Sequence, residues 1–167
     1  SNFTHDEAIG FLKRIRNIIA AKGSRESGGL LIGVDLIKAE EILVAAYDDS
    51  QGVTRDFNLN LLQRINRELD ANFDLKQFQH EARFNSDFAR IEMHLVSRCD
   101  QDVKIDGHQF NFRGGESIHT ESSHKYSVES FSKLAKSTGL RIVKTWFDQN
   151  KLFSTHYLEC DPDYHSA

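Results

Sequence analysis

The richest chemical stretch of the chain is Arg113-Gly-Gly-Glu-Ser-Ile-His-Thr-Glu-Ser-Ser-His-Lys-Tyr-Ser127, which puts two histidines, glutamates and several hydroxyls into one short span. His119 and His124 lie five residues apart, whereas an H-E-x-x-H zinc site needs a spacing of four so that both rings share a helix face. A structural zinc would also need more Cys or His nearby. No metal is expected here. Nucleophilic catalysis needs a hydroxyl activated by a base on a strand–turn–helix frame such as G-x-S-x-G, and the span lacks that frame. Two readings stay open. One is a solvated loop. The other is a substrate-reading patch, because Glu121 and Ser123, at i and i+2, face the same side of an extended segment. A carboxylate and a hydroxyl so placed can hydrogen-bond a flat ring with two nitrogens, such as imidazole.

The elements that must position this patch follow from the periodicity. Thr4-His-Asp-Glu7 is a capping box, and Ala8, Phe11, Leu12, Ile15, Ile18 and Ile19 recur at helical spacing, so residues 5 to 22 form an amphipathic helix closed by Gly23. After a loop, Leu30-Leu-Ile-Gly-Val-Asp-Leu36 is a continuous apolar run, expected as a strand buried on both faces of a parallel sheet. A short helix ending in a turn is expected in 39–49 and a longer one from Val53, in which Phe57, Leu61, Leu62, Ile65 and Leu69 share a face. Four segments between residues 79 and 113 read as antiparallel strands, with Asp106-Gly107 a type I′ hairpin signal. Ser127 caps a helix over 128–138 ended by Gly139, and two last strands are joined by a turn at Asp148-Gln149-Asn150. The fold class is therefore α/β. Residues 1–37 and 125–160 form scaffold pieces, 38–124 an α+β insertion, and 161–167 a tail.

Composition bounds the partners. With 167 residues, a net charge of −4 and 28% charged residues, the chain offers no electrostatic reason to hold nucleic acid or an anionic membrane. Its apolar runs are too short to span a bilayer. Two cysteines, Cys99 and Cys160, have no metal-ligand spacing and are expected as reduced thiols in a cytoplasmic protein. The start at Ser-Asn-Phe, without a methionine, is expected to be a cut within a longer protein.

"LLIGVDLIK", "AAYDDSQGVTRDFNLNLLQRINRELDANFDL", "RIEMHLVSR", "GESIHTESSHKYS" and the terminal "LFSTHYL" together resemble the histidine-specific, S-adenosylmethionine-dependent methyltransferases, over residues 2 to about 158. The resemblance implies the C-terminal part of a Rossmann-like class I methyltransferase sheet carrying a substrate-binding insertion. It implies N-methylation of the α-amino group of L-histidine, on the route to ergothioneine, with S-adenosylmethionine as cosubstrate. The family's Gly-rich cofactor loop is absent from these residues, so the N-terminal half of the enzyme is an expected partner, and this stretch alone is expected to be inactive. Exposed sheet edges left by that half would favour a homodimer.

The family's substrate residues carry over one by one. Tyr47 matches the tyrosine that holds the substrate carboxylate. Asn2 matches the asparagine that grips the amino and carboxylate groups, although Ser1 stands where the family has Gly. Thr54 would line the same pocket. Glu121 and Ser123 match the pair that reads the imidazole, and Met93 the residue packed beside the ring. Without the resemblance, Tyr47 would be a half-buried helix residue, Met93 core, Thr54 a helix N-cap and Asn2 a frayed end. Two alternatives stand beside it: a non-catalytic amino-acid-binding module, or methylation of another amino acid such as a tryptophan derivative.

Overall fold

The computed structural model describes residues 2–21 and 28–164. Gly23 and the loop after it, expected to end the first helix, lie outside the described residues, as does Ser1. The chain divides into two compact units, Ser1–Lys38 with Ser123–Ala167 and, between them in sequence, Ala39–Ser122. Helices and strands together make a mixed α/β arrangement.

The first unit begins with α1, His5–Ala20. Its start is the expected capping box: Thr4 Oγ1 accepts from the Glu7 backbone N–H at 3.3 Å, and the Glu7 carboxylate accepts from the Thr4 N–H at 2.8 Å. Of the apolar stripe, Ala8 and Leu12 are buried while Ile18 points outward. Strand β1, Leu30–Asp35, pairs antiparallel with β8, Phe153–Cys160, which pairs antiparallel with β7, Leu140–Phe147, giving the order β1-β8-β7. The last strand thus lies between the first and the penultimate one. Strand β1 departs from the expectation of a strand buried on both faces in a parallel sheet. It has one hydrogen-bonded neighbour among the described residues, and Leu31 is 64% exposed. Helix α4, Val128–Ser137, packs Phe131, Leu134 and Ala135 into a core with Ala8, Leu12, Val34, Leu140 and Leu158. Ser127 caps it as expected, with Ser130 closing the box, and Gly139 follows at φ +78°. The β7–β8 turn is longer than three residues. Asp148 Oδ1 accepts from the N–H groups of both Leu152 and Phe153, at 2.7 Å each, so the side chain organises the whole connection.

The second unit holds α2, Glu40–Tyr47, and α3, Val53–Glu68. Its sheet runs β2-β3-β6, from β2, Phe78–Asn85, β3, Arg90–Ser97, and β6, Ser117–His124, whose last two residues belong to the first unit. A hairpin of β4, Gln101–Ile105, and β5, His108–Phe112, turns at Asp106 and Gly107, both with positive φ as the type I′ signal requires. Phe78, His80 and Ala82 alternate on the buried face of β2. Phe73, Phe78 and Phe112 meet at centroid distances of 5.5–6.2 Å beside Leu62, Leu95 and Val103. A smaller cluster of Leu43, Ala82 and Ile91 takes Tyr47 at its margin. No helix of the described residues is long and apolar enough to cross a membrane, and both cysteines are thiols.

Candidate functional site

Within Arg113–Ser127, residues Ser117–His124 are strand rather than loop. Along β6, Glu121 lines a cavity of about 200 Å³ together with Thr120, Met93 of β3, and Phe57, Leu61 and Arg64 of α3. Phe57 and Leu61 sit one helical turn apart and remain 66% and 38% exposed, so they form an apolar wall rather than part of the core. Met93 is buried, opposite Ala82, and its backbone carbonyl accepts from Thr120 Oγ1 at 3.0 Å. The cavity therefore combines a flat apolar wall, a thioether and a carboxylate, which suits a small aromatic ring bearing an N–H.

Histidines flank this strand. His94 Nε2 lies 3.1 Å from Glu92 Oε2 and Nδ1 lies 3.1 Å from Ser117 Oγ. A carboxylate only accepts, so Nε2 carries the hydrogen and Nδ1 takes the serine's. His119 Nε2 similarly donates to the Glu121 carbonyl at 3.0 Å. Glu92, His94 and His119 bring ligand-type atoms within 4.8 Å of one another. The two rings stack, 4.9 Å apart and 17° from parallel, so their nitrogen lone pairs do not converge on one point. Burial pushes the Glu92 carboxyl up, but hydrogen bonds from Arg90, His94 and Asn85 outweigh it and lower it to about 2. Burial also lowers His94, against the pull of Glu92.

Tyr47 is the last residue of α2, and its carbonyl meets His80 Nε2 at 2.7 Å. Thr54 lies in the first turn of α3. It is not the N-cap: Gly52, at φ +71°, takes that position, and the Asp49 carboxylate accepts from the N–H groups of Val53 and Thr54 at 3.1 and 3.0 Å. Those backbone donors lower Asp49 to about 2.

In the first unit, Ser123 is 3% exposed, and its Oγ accepts from Lys125 Nζ at 2.9 Å. Lys125 Nζ lies 2.7 Å from Asp35 Oδ2, and Lys38 Nζ 2.6 Å from Asp35 Oδ1. Burial raises the Asp35 carboxyl, but the two ammoniums prevail and leave it below its ordinary value. Asn2 is exposed. Of the six carried-over residues, then, Met93 and Glu121 line one cavity, Tyr47 and Thr54 belong to the same unit, and Ser123 and Asn2 to the other. Reasoning from sequence missed Lys125, Asp35, Asn58 and His80. The available signal was a lysine directly after a strand rich in hydroxyls.

Room for S-adenosylmethionine is limited in the first unit. An apolar cavity of about 170 Å³ in the first unit, lined among others by Phe3, Phe11, Asp35, Tyr126 and Phe153, would hold a single ring. Sites for ligands of drug size run from roughly 300 Å³ upward, so this cavity alone does not fit the whole molecule.

The model of the SAM-dependent, histidine-specific methyltransferases matches residues 1–160. The chain belongs to that family. It is 45% identical over 121 residues to the histidine N-alpha-methyltransferase of Mycolicibacterium smegmatis, covering 71% of this chain and 38% of that protein. To the histidine N-alpha-methyltransferase of Mycobacterium tuberculosis it is 42% identical over 150 residues, 89% of this chain and 45% of that protein. The chain thus spans less than half the length of both. A solved S-adenosylmethionine-dependent methyltransferase from Clostridium acetobutylicum is 12% identical, with a TM-score of 0.43 over 94% of this chain and 52% of that one.

Proposed function

We propose that the protein methylates the α-amino group of L-histidine, with S-adenosylmethionine supplying the methyl group, in a cytoplasmic route to ergothioneine. The observation that carries this reading is the placement of Glu121 on β6. Its carboxylate lines a ring-sized cavity beside Met93, and Ser123 follows two residues on in the same strand. Support for the substrate comes from the two mycobacterial relatives, each named for histidine methylation.

The chain's own contribution is positioning. Methyl transfer to an amine gains most of its acceleration from holding the nucleophile in line with the donor. Glu121 accepts the ring N–H, Ser123 bonds the other ring nitrogen, Met93 packs against the ring face, and Tyr47, Thr54 and Asn2 hold the carboxylate and amino end. Residues 1–37 and 125–160 serve as methyltransferase core and 38–124 as the substrate-binding insertion. Strand β1, with one neighbour among the described residues, is the edge through which a homodimer would form.

Calorimetric titration with L-histidine in the presence of S-adenosylhomocysteine tests this reading. Glu121→Ala should weaken binding about thirtyfold or more, the effect of about 2 kcal/mol from a lost charged hydrogen bond. Equal affinity in mutant and wild type sinks the assignment. Mass spectrometry of histidine after incubation of the enzyme with its N-terminal half and the cosubstrate reads the methyl transfer directly, and this stretch alone should give none.

A further inference from the structure

The substrate roles above leave His119 unassigned, although it bonds the backbone of the residue proposed to read the ring. His119 is exposed, yet its ring has a fixed seat. It stacks on His94, with 4.9 Å between centroids and 17° between planes. His94 is 7% exposed and is braced at both nitrogens, by Glu92 Oε2 and by Ser117 Oγ, each at 3.1 Å. Glu92 is in turn held by Arg90 at 2.6 Å. A buried, braced ring thus serves as the platform for an exposed one.

From that platform His119 Nε2 reaches the Glu121 carbonyl at 3.0 Å and Ser122 Oγ at 3.1 Å. A carbonyl only accepts, so the ring hydrogen sits on Nε2, and Ser122 Oγ can share it only as a second acceptor. One residue before Glu121, Thr120 Oγ1 donates to the Met93 carbonyl at 3.0 Å. Glu121 is therefore bracketed. The residue ahead of it is tied to β3, and the peptide after it is tied to His119. The carbonyl carbon and Cβ of Glu121 share one Cα, so a twist of that peptide plane carries the carboxylate with it. Hydrogen bonds weaken steeply once donor and acceptor are misaligned, so a small twist matters.

We propose that His119 is a positioning residue: by holding the Glu121 carbonyl from the His94 platform, it aims the Glu121 carboxylate at the N–H of the substrate ring. The inference rests on the ring-reading role proposed for Glu121. It adds that recognition of a nitrogen heterocycle depends on a residue outside the cavity lining. Every group involved belongs to the second unit.

The test is the dissociation constant of L-histidine, measured on the enzyme carrying its N-terminal half. His119→Phe keeps a ring to stack on His94 and removes the donated hydrogen. His119→Gln gives up the ring but places an amide N–H near the former Nε2. The phenylalanine variant should bind histidine about three- to tenfold more weakly, the fold-change of one lost hydrogen bond. The glutamine variant should stay within about twofold of wild type. His119→Leu, which also lacks a donor, replaces His119→Phe if that variant does not fold. In the Glu121→Ala background, adding His119→Phe should cost no further affinity, because the carboxylate it aims is gone. A merely structural histidine would cost the same in both backgrounds. Unchanged affinity in the folded variant without a donor, a glutamine variant equally weakened, or an equal loss on top of Glu121→Ala overturns the proposal. Glu121→Ala alone separates the two levels. Unchanged histidine binding there removes the ring-reading role itself, whereas weakened binding there with wild-type affinity in His119→Phe overturns only the role of His119.

Discussion

Asn58 and His80 fix each other's hydrogens. Asn58, 3% exposed, directs Nδ2 at the His94 carbonyl, 3.2 Å away, and at His80 Nδ1, 2.9 Å away. A carbonyl only accepts, so the amide nitrogen must face it, and His80 Nδ1 is therefore the lone-pair side of the ring. The ring hydrogen then sits on Nε2 and is donated to the Tyr47 carbonyl at 2.7 Å. One amide on α3 sets the tautomer of a histidine on β2, and that histidine anchors the end of α2, where a proposed substrate residue stands.

Replacing Asn58 by Leu keeps much of the volume and removes both donations. The His94 carbonyl and His80 Nδ1 would be left buried without that donor, at about 1–3 kcal/mol for each unsatisfied group. The expected loss is about 2–4 kcal/mol in denaturant unfolding, with weaker histidine binding because Tyr47 loses its anchor. A loss below about 1 kcal/mol would mean that the amide does not organise this part of the unit.

Tyr47→Phe separates anchoring from recognition. His80 holds the Tyr47 backbone carbonyl, which the substitution leaves in place. The end of α2 should therefore stay anchored to His80 in the variant. Affinity for histidine should fall about tenfold or more, the cost of one hydrogen bond to a charged carboxylate. An unchanged dissociation constant takes the phenol out of the substrate site.

Local signals in the sequence read well where the physics is local. The Thr4–Glu7 box, the Ser127 cap and the Asp106-Gly107 turn each need only a few neighbouring residues, and each forms as expected. The apolar run of β1 misled because hydrophobicity reports burial without saying which partner supplies it, and here the partner is the last strand of the chain. On α3 the shared face of Phe57, Leu61, Leu62, Ile65 and Leu69 is real, but Leu62 alone among them is fully buried while Phe57 and Leu61 wall a cavity. At the candidate site, residue types could be read from the chain. The direction of the Ser123 hydrogen bond could not, because it depends on Lys125 and Asp35, which only the folded β1 and β6 ends bring together.

Acid should unfold the second unit in two stages. Burial lowers His94, so the fold favours its neutral form. Its contribution is complete above the ordinary histidine value of 6.5 and is lost as pH falls through the depressed one. Glu92 is held at about 2 against an ordinary 4.5, chiefly by Arg90 at 2.6 Å once the opposing effect of burial is overcome. Its contribution is present above pH 4.5 and disappears as pH falls toward 2. Denaturant midpoints measured from pH 8 to pH 2 should therefore decline first below about 6.5 and again below about 4.5. Glu92→Gln should lessen the second decline, leaving the share of Asp49, and lower stability at neutral pH by about 2 kcal/mol, since Arg90 and His94 lose a charged partner whose side chain is 12% exposed. A second decline that persists undiminished in Glu92→Gln would assign the acid sensitivity to other carboxylates and strip Glu92 of its role in bracing His94 beside β6.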